Sequence, residues 1–126
     1  MLVAMAMVFV AVVAFDFLVH GFLLTGEYEK TKCLWRPQAE YKVSAMMTAQ
    51  LFFSVFTVLM VSLVTKGTQK MPGMVFGLIF GLLLSSIELG KYGYMAVPCH
   101  LVCYWMLASF CKGFGVCAIA TLKYKK

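Results

Sequence analysis

The chain has 126 residues, of which 63% are hydrophobic and only 13% are charged, with a mean hydropathy of +0.90. A soluble domain of this length has too little surface to solvate so much apolar mass, and low charge with 15% aromatics is the reverse of the composition that leaves a chain disordered. A net charge of +6 raises the question of nucleic acid, but the Lys and Arg residues sit mostly in short connectors rather than along one amphipathic face. Anionic lipid headgroups are therefore the expected counter-charge, and nucleic acid is not an expected partner.

A spanning helix needs about 20 mostly apolar residues at a rise of about 1.5 Å each, and four windows meet that test: 2–24, 43–65, 73–97 and 99–122. The expected fold is all-α, an integral membrane four-helix bundle with short connectors, forming a single transmembrane domain over 1–126. The first window is read as a retained span. It lacks a positive leading region and a clean small-residue cleavage site, and Asp16 interrupts its apolar core. Within it, "FDFLVHGF" sets Asp16 and His20 four residues apart, hence on one helix face.

The first connector, 25–42, carries Lys30, Lys32, Arg36 and Lys42 together with Glu27, Glu29 and Glu40. Tyr28, Trp35 and Tyr41 fall where amphipathic rings settle at a membrane surface, as do Tyr92, Tyr94 and Tyr124 further on. Trp35 reads as an interface anchor and Arg36 as a headgroup contact. In the second span Gln50, Ser54 and Thr57 form a weak polar stripe expected to face a neighbouring helix.

The second connector contains Lys66, Lys70 and Pro72, and the third span opens with Gly73, Gly77 and Gly81 at four-residue spacing, extended by Ser85. Such a GxxxG ridge lets another helix backbone approach closely, within the chain or between copies, and in lipid close packing replaces the missing hydrophobic drive. Pro98 breaks the chain before the fourth span. Counting Lys and Arg gives a tie between the two sides of the membrane. Both termini are assigned to the cytoplasm because the three Glu residues dilute the positive charge of the first connector.

The spans hold five groups that cannot face lipid cheaply: Asp16, His20, Glu88, Lys91 and Lys112. A charge at the centre of a spanning helix costs about 2.5 to 3.5 kcal/mol on insertion scales. Measured from the outer ends of the spans, Asp16 and Glu88 are each expected about nine residues in, on the order of 14 Å, with Lys112 able to reach them along its flexible stem. Three readings of this polar cluster stay open: an ion-pair knot that fixes helix register, a proton or substrate site on Asp16, Glu88 and His20, and a metal or haem ligand at His20.

The five cysteines, at 33, 99, 103, 111 and 117, include no CxxC pair. Cys99 and Cys103 share a helix face with His100 beside them, a conceivable soft-metal site, though no metal is expected. A Cys33 to Cys99 disulfide is conceivable if the first connector is extracytoplasmic. No phosphate loop, nucleophile elbow or HExxH is present, so the chain is not expected to be an enzyme or to hold a cofactor beyond bound lipid.

The run "FDFLVHGFLLTGEYEKTKCLWRP", followed by Glu40, resembles the opening of a group of small, uncharacterised four-span bacterial membrane proteins. Their first span ends in a similar acid-x-x-x-His-Gly pattern, and Leu-Trp-Arg-Pro precedes the second. The resemblance covers about the first third of the chain and implies architecture and a place in the bacterial inner membrane, with no catalytic residues. The small multidrug transporters are similar in layout alone, four short helices with an acid in the first. Here His20 accompanies that acid, and Lys91 and Lys112 oppose the binding of a hydrophobic cation.

Two functions are thus expected. The first is a non-catalytic membrane protein that packs against other integral membrane subunits or copies of itself, as an accessory subunit or small oligomer. The second is a proton-coupled transporter or channel that uses the internal polar cluster.

Overall fold

The computed structural model describes residues 1–66 and 73–124. The second connector, with Lys70 and Pro72, and the terminal Lys125 and Lys126 lie outside the described residues, as does the side chain of Lys123, so most of the positive charge counted on the side of the termini lies outside them.

Helix α1, Leu2–Leu18, continues into a single π-helical turn, Val19–Leu23. The short α2, Thr25–Lys30, and two 3₁₀ turns, Lys32–Leu34 and Gln38–Glu40, form the first connector. Three long helices follow: α3, Val43–Lys66; α4, Gly73–Lys91; and α5, Cys99–Tyr124. Among the described residues four helices are long and apolar enough to cross a membrane. The chain has the all-α architecture of a multi-pass membrane protein.

The third span ends earlier than the sequence suggests, at Lys91 rather than near residue 97. Gly90 and Gly93 are poor helix formers, and Pro98 disfavours helical geometry at the residue before it. The last carbonyls of α4 are instead closed by turns: the Tyr94 and Met95 amides both donate to the Lys91 carbonyl, at 3.2 and 2.9 Å. Glu88 consequently lies in the last turn of α4, whereas Asp16 lies below the whole π-helical turn.

Helix α5 is the hub, packing against α1, α3 and, most intimately, α4. The seam with α4 is built on glycine. A Cβ added at Gly81 would come 2.8 Å from the Phe110 carbonyl oxygen, and one added at Gly113 would come 2.8 Å from the Gly81 Cα. Gly77 and Gly73 face Cys117 and Thr121 further along the same seam. Ser85 ends the ridge by donating to the Met106 carbonyl at 2.7 Å.

Two apolar clusters result. One, towards the termini, joins Val8 and Val12 of α1 to Val58 and Val61 of α3, Phe80 of α4 and Val116 of α5. The other, at the first-connector end, joins Val19 and Leu24 to Val97, Leu101, Val102 and Trp105. Along α1 and α5 the charged residues Asp16 and Lys112 fall between these clusters.

Candidate functional site

Asp16 projects from α1 into the junction of three helices. Lys112 Nζ of α5 donates to both carboxylate oxygens, at 3.0 and 3.2 Å, and Gln50 Nε2 of α3 donates to Oδ2. Only 18% of the Asp16 side chain and 20% of the Lys112 side chain are exposed, so each charge is offset chiefly by the other. Gln50 continues inward as the polar stripe of α3, with Ser54 and Thr57 fully buried below it. Lys112 Nζ also lies 5.8 Å from the centroid of the Phe53 ring.

Glu88 and Lys91 form a second pair, local to the end of α4, with 2.7 Å between Lys91 Nζ and Glu88 Oε2. Lys91 lies 5.6 Å from the Trp105 ring centroid, a cation–π placement. The five charged or titratable residues of the spans therefore divide: Asp16 binds Lys112, Glu88 binds Lys91, and His20 binds neither acid. The direct bonds form two pairs, and the charges of both pairs act on His20. Glu88 and Lys91 are one helical turn apart, and a contact at i, i+3 needs no reach across the bundle.

His20 Nδ1 bonds the Tyr28 hydroxyl, which also accepts the Trp105 indole N–H at 2.8 Å. The Tyr28, Trp35 and Trp105 rings pack on one another, with centroids 5.4 Å apart for Tyr28 and Trp35 and 5.8 Å for the two tryptophans. Trp35 is thus turned inward at the bundle end, its Nε1 donating to Thr31 Oγ1 at 2.9 Å, while Arg36 is exposed. Burial pushes the Tyr28 hydroxyl above its ordinary pKa against the opposing effect of the Trp105 donor, so it stays protonated.

Helix α2 has a second anchor. Glu27 accepts from Lys30 Nζ at 2.9 Å and pairs with His100 Nε2, in the first turn of α5, at 2.7 Å. These bonds, from Lys30 first and His100 second, hold the Glu27 carboxyl below its usual range and raise Lys30 in turn. His100 is thereby engaged by Glu27 and not grouped with Cys99 and Cys103. No cluster of three metal-ligating side chains occurs among the described residues. Cys33 and Cys99 are exposed free thiols.

A pocket of about 90 Å³ lies between α1 and α5, bounded by Ala11, Val12 and Phe15 on one side and Lys112 and Gly115 on the other. Its walls are mostly apolar, and Lys112 is the charged residue that reaches it.

Four participants were not legible in these roles. Gln50 stood out only as one member of a polar stripe. Tyr28 and Trp35 carry the signature of interfacial aromatics, which is the same whether a ring faces headgroups or packs on its own bundle end. Trp105 offered no signal beyond an aromatic inside an apolar span. Comparison with family models, curated proteins and solved structures finds no match to this chain.

Proposed function

We propose that this chain is a non-catalytic multi-pass protein of the bacterial inner membrane, with both termini cytoplasmic, that packs against other integral membrane subunits or further copies of itself amid bound lipid. The observation that carries the reading is the engagement of Asp16. Both of its oxygens are held by Lys112 and one also by Gln50, which leaves little capacity for a transported cation or proton. A carboxylate tied to two other helices fixes their register. In keeping with this, the first connector folds onto the helix ends through Tyr28, Trp35 and Glu27 rather than into a body of its own. The glycine ridge of α4 is used within the chain in this reading, leaving the outward apolar faces, with Phe17, Phe22 and Leu63, for lipid and partners. Neither a cofactor nor nucleic acid takes part. The likeness of the first third to small four-span bacterial proteins agrees with this architecture and assigns no chemistry.

A second reading, a proton-coupled transporter or channel, draws on the pocket beside Lys112 and on the π-helical turn just beyond Asp16, a feature frequent at functional sites.

The test is extraction in native lipid particles, with the mass of the assembly measured. The first reading expects a complex or oligomer well above the 14.1 kDa of one chain, and melting lowered more by Asp16→Asn than by Asp16→Glu. A monomer whose proton flux in liposomes is lost in Asp16→Asn, with melting equal in both variants, would transfer the assignment to the second.

A further inference from the structure

The chain has two histidines, and both bind the same six-residue helix. His20, in the π-helical turn after α1, holds Tyr28, and His100, in the first turn of α5, holds Glu27. Adjacent residues of α2 are thus fastened to two different spans. The bonds differ in their demand for a proton.

At Tyr28 the direction of one of the two hydrogen bonds is fixed by chemistry. An indole N–H can only donate, so the Tyr28 oxygen accepts from Trp105. The Tyr28 hydroxyl hydrogen finds an acceptor in His20 Nδ1 when that nitrogen is bare, the tautomer that gives the O–H a partner among the described residues. A proton placed on Nδ1 converts the acceptor into a donor and leaves the half-buried Tyr28 O–H without that partner. At Glu27 the opposite holds. A carboxylate accepts from His100 whether that ring is neutral or charged, and the charged form strengthens the bond.

We propose that α2 is a proton-released strap: protonation of His20 removes the acceptor that Tyr28 requires and frees the Tyr28 end of α2, while Glu27 stays bound to His100 and serves as the hinge. The groups acting on His20 from the helices around it are Asp16 one turn away on α1, Lys112 of α5, and Glu88 and Lys91 of α4. Two acids and two bases leave it with no net charge to hold an added proton in place, and both Asp16 oxygens are already taken by Lys112. Facing His100 are Glu27 and, by edge contact, Tyr104. Lys30 and His100 keep Glu27 ionised well below the range in which histidines titrate, so the hinge persists where the strap lets go. The device is independent of what the protein packs against.

The chain carries its own reporters. Its two tryptophans are Trp35 and Trp105, both packed on Tyr28. In lipid nanodiscs, taken from about pH 8 to pH 5 where histidine changes charge, the tryptophan emission maximum should move to the red. The acrylamide quenching constant should rise about twofold or more, as local release exposes the indoles, while the helical circular dichroism stays constant. His20→Asn, whose amide oxygen accepts from Tyr28 at every pH, should hold the alkaline spectrum throughout. Tyr28→Phe should show the acidic spectrum throughout, and His100→Gln should keep the wild-type transition. A flat wild-type titration, a transition that survives in His20→Asn or vanishes in His100→Gln, or a red shift accompanied by loss of helix would each overturn the proposal.

Discussion

The seam between α4 and α5 and the junction of α1, α3 and α5 hold helices together by different means. At the seam, Gly81 and Gly113 bring two backbones together so closely that neither position has room for a methyl group, and the attraction is dispersion over a long line of contact. At the junction the contacts between helices are sparser, and a single ionised residue, Asp16, is gripped by Lys112 and Gln50. The comparison teaches what replaces the hydrophobic effect when the surroundings are as apolar as the core. One solution is shape, which tolerates little change anywhere along its length. The other is charge, concentrated in one place and sensitive to one atom.

The largest effect should follow from breaking the charged junction on one side. Lys112→Met leaves Asp16 with Gln50 as its remaining partner, an uncompensated charge between two apolar clusters, and should lower stability by about 3 kcal/mol or more. Thermal unfolding in detergent would read this directly. Asp16→Asn combined with Lys112→Met should recover much of the loss, since a neutral amide can keep a bond with Gln50 and no charge is stranded. A double variant as unstable as the single one would mean that packing of the Lys112 stem, and not charge, holds the junction.

The seam should fail by steric conflict instead. Gly81→Val forces apart backbones that would approach an added Cβ to 2.8 Å, at a cost of about 1 to 3 kcal/mol. Gly115→Ala is the matched control on α5. An added Cβ there meets nothing within 4 Å, so the change should be neutral, or stabilising by up to about 1 kcal/mol through helix propensity. Equal losses at the two glycines would mean that the seam is not a line of close approach.

These two regions were unequally legible in the sequence. The glycine ridge could be read because close approach demands a residue type at a fixed spacing, and helical periodicity then says which residues share a face. Its partner Gly113 could not, because Gly115, the other glycine of that span, is two residues away and sets no helical period. The membrane-spanning windows were equally clear, except at the end of α4, where apolar residues 92–97 continue a hydropathy signal that Gly90, Gly93 and Pro98 interrupt in the backbone. That one boundary moved Glu88 into the last turn of the helix. Hydropathy reports which residues prefer lipid, whereas pairing depends on where each helix stops and how the helices are turned. The link from His20 through Tyr28 to Trp105 was illegible for the same reason, since its second bond joins residues 77 apart in sequence.

The smallest expected effect concerns a hydroxyl that neither solution uses. Thr57 Oγ1 is buried in α3 without a hydrogen-bond partner among the described residues, while Ser54 and Ser62 on the same helix donate back to the carbonyls of Gln50 and Leu59. A buried, unpaired hydroxyl penalises the folded bundle, and Val has nearly the same shape without it. Thr57→Val should therefore raise the melting temperature, by the equivalent of about 1 kcal/mol. Ser85→Ala removes a bonded hydroxyl, from the α4–α5 seam, and should lower stability by about 0.6 kcal/mol, the usual size of such bonds between membrane helices. The opposite signs are the point of the pair, because both changes delete one polar atom from one buried helix face. If Thr57→Val instead destabilised the protein, the hydroxyl would have to be bonded in the folded bundle, and the apolar cluster below Asp16 would contain a polar partner that extends the charged junction towards the termini.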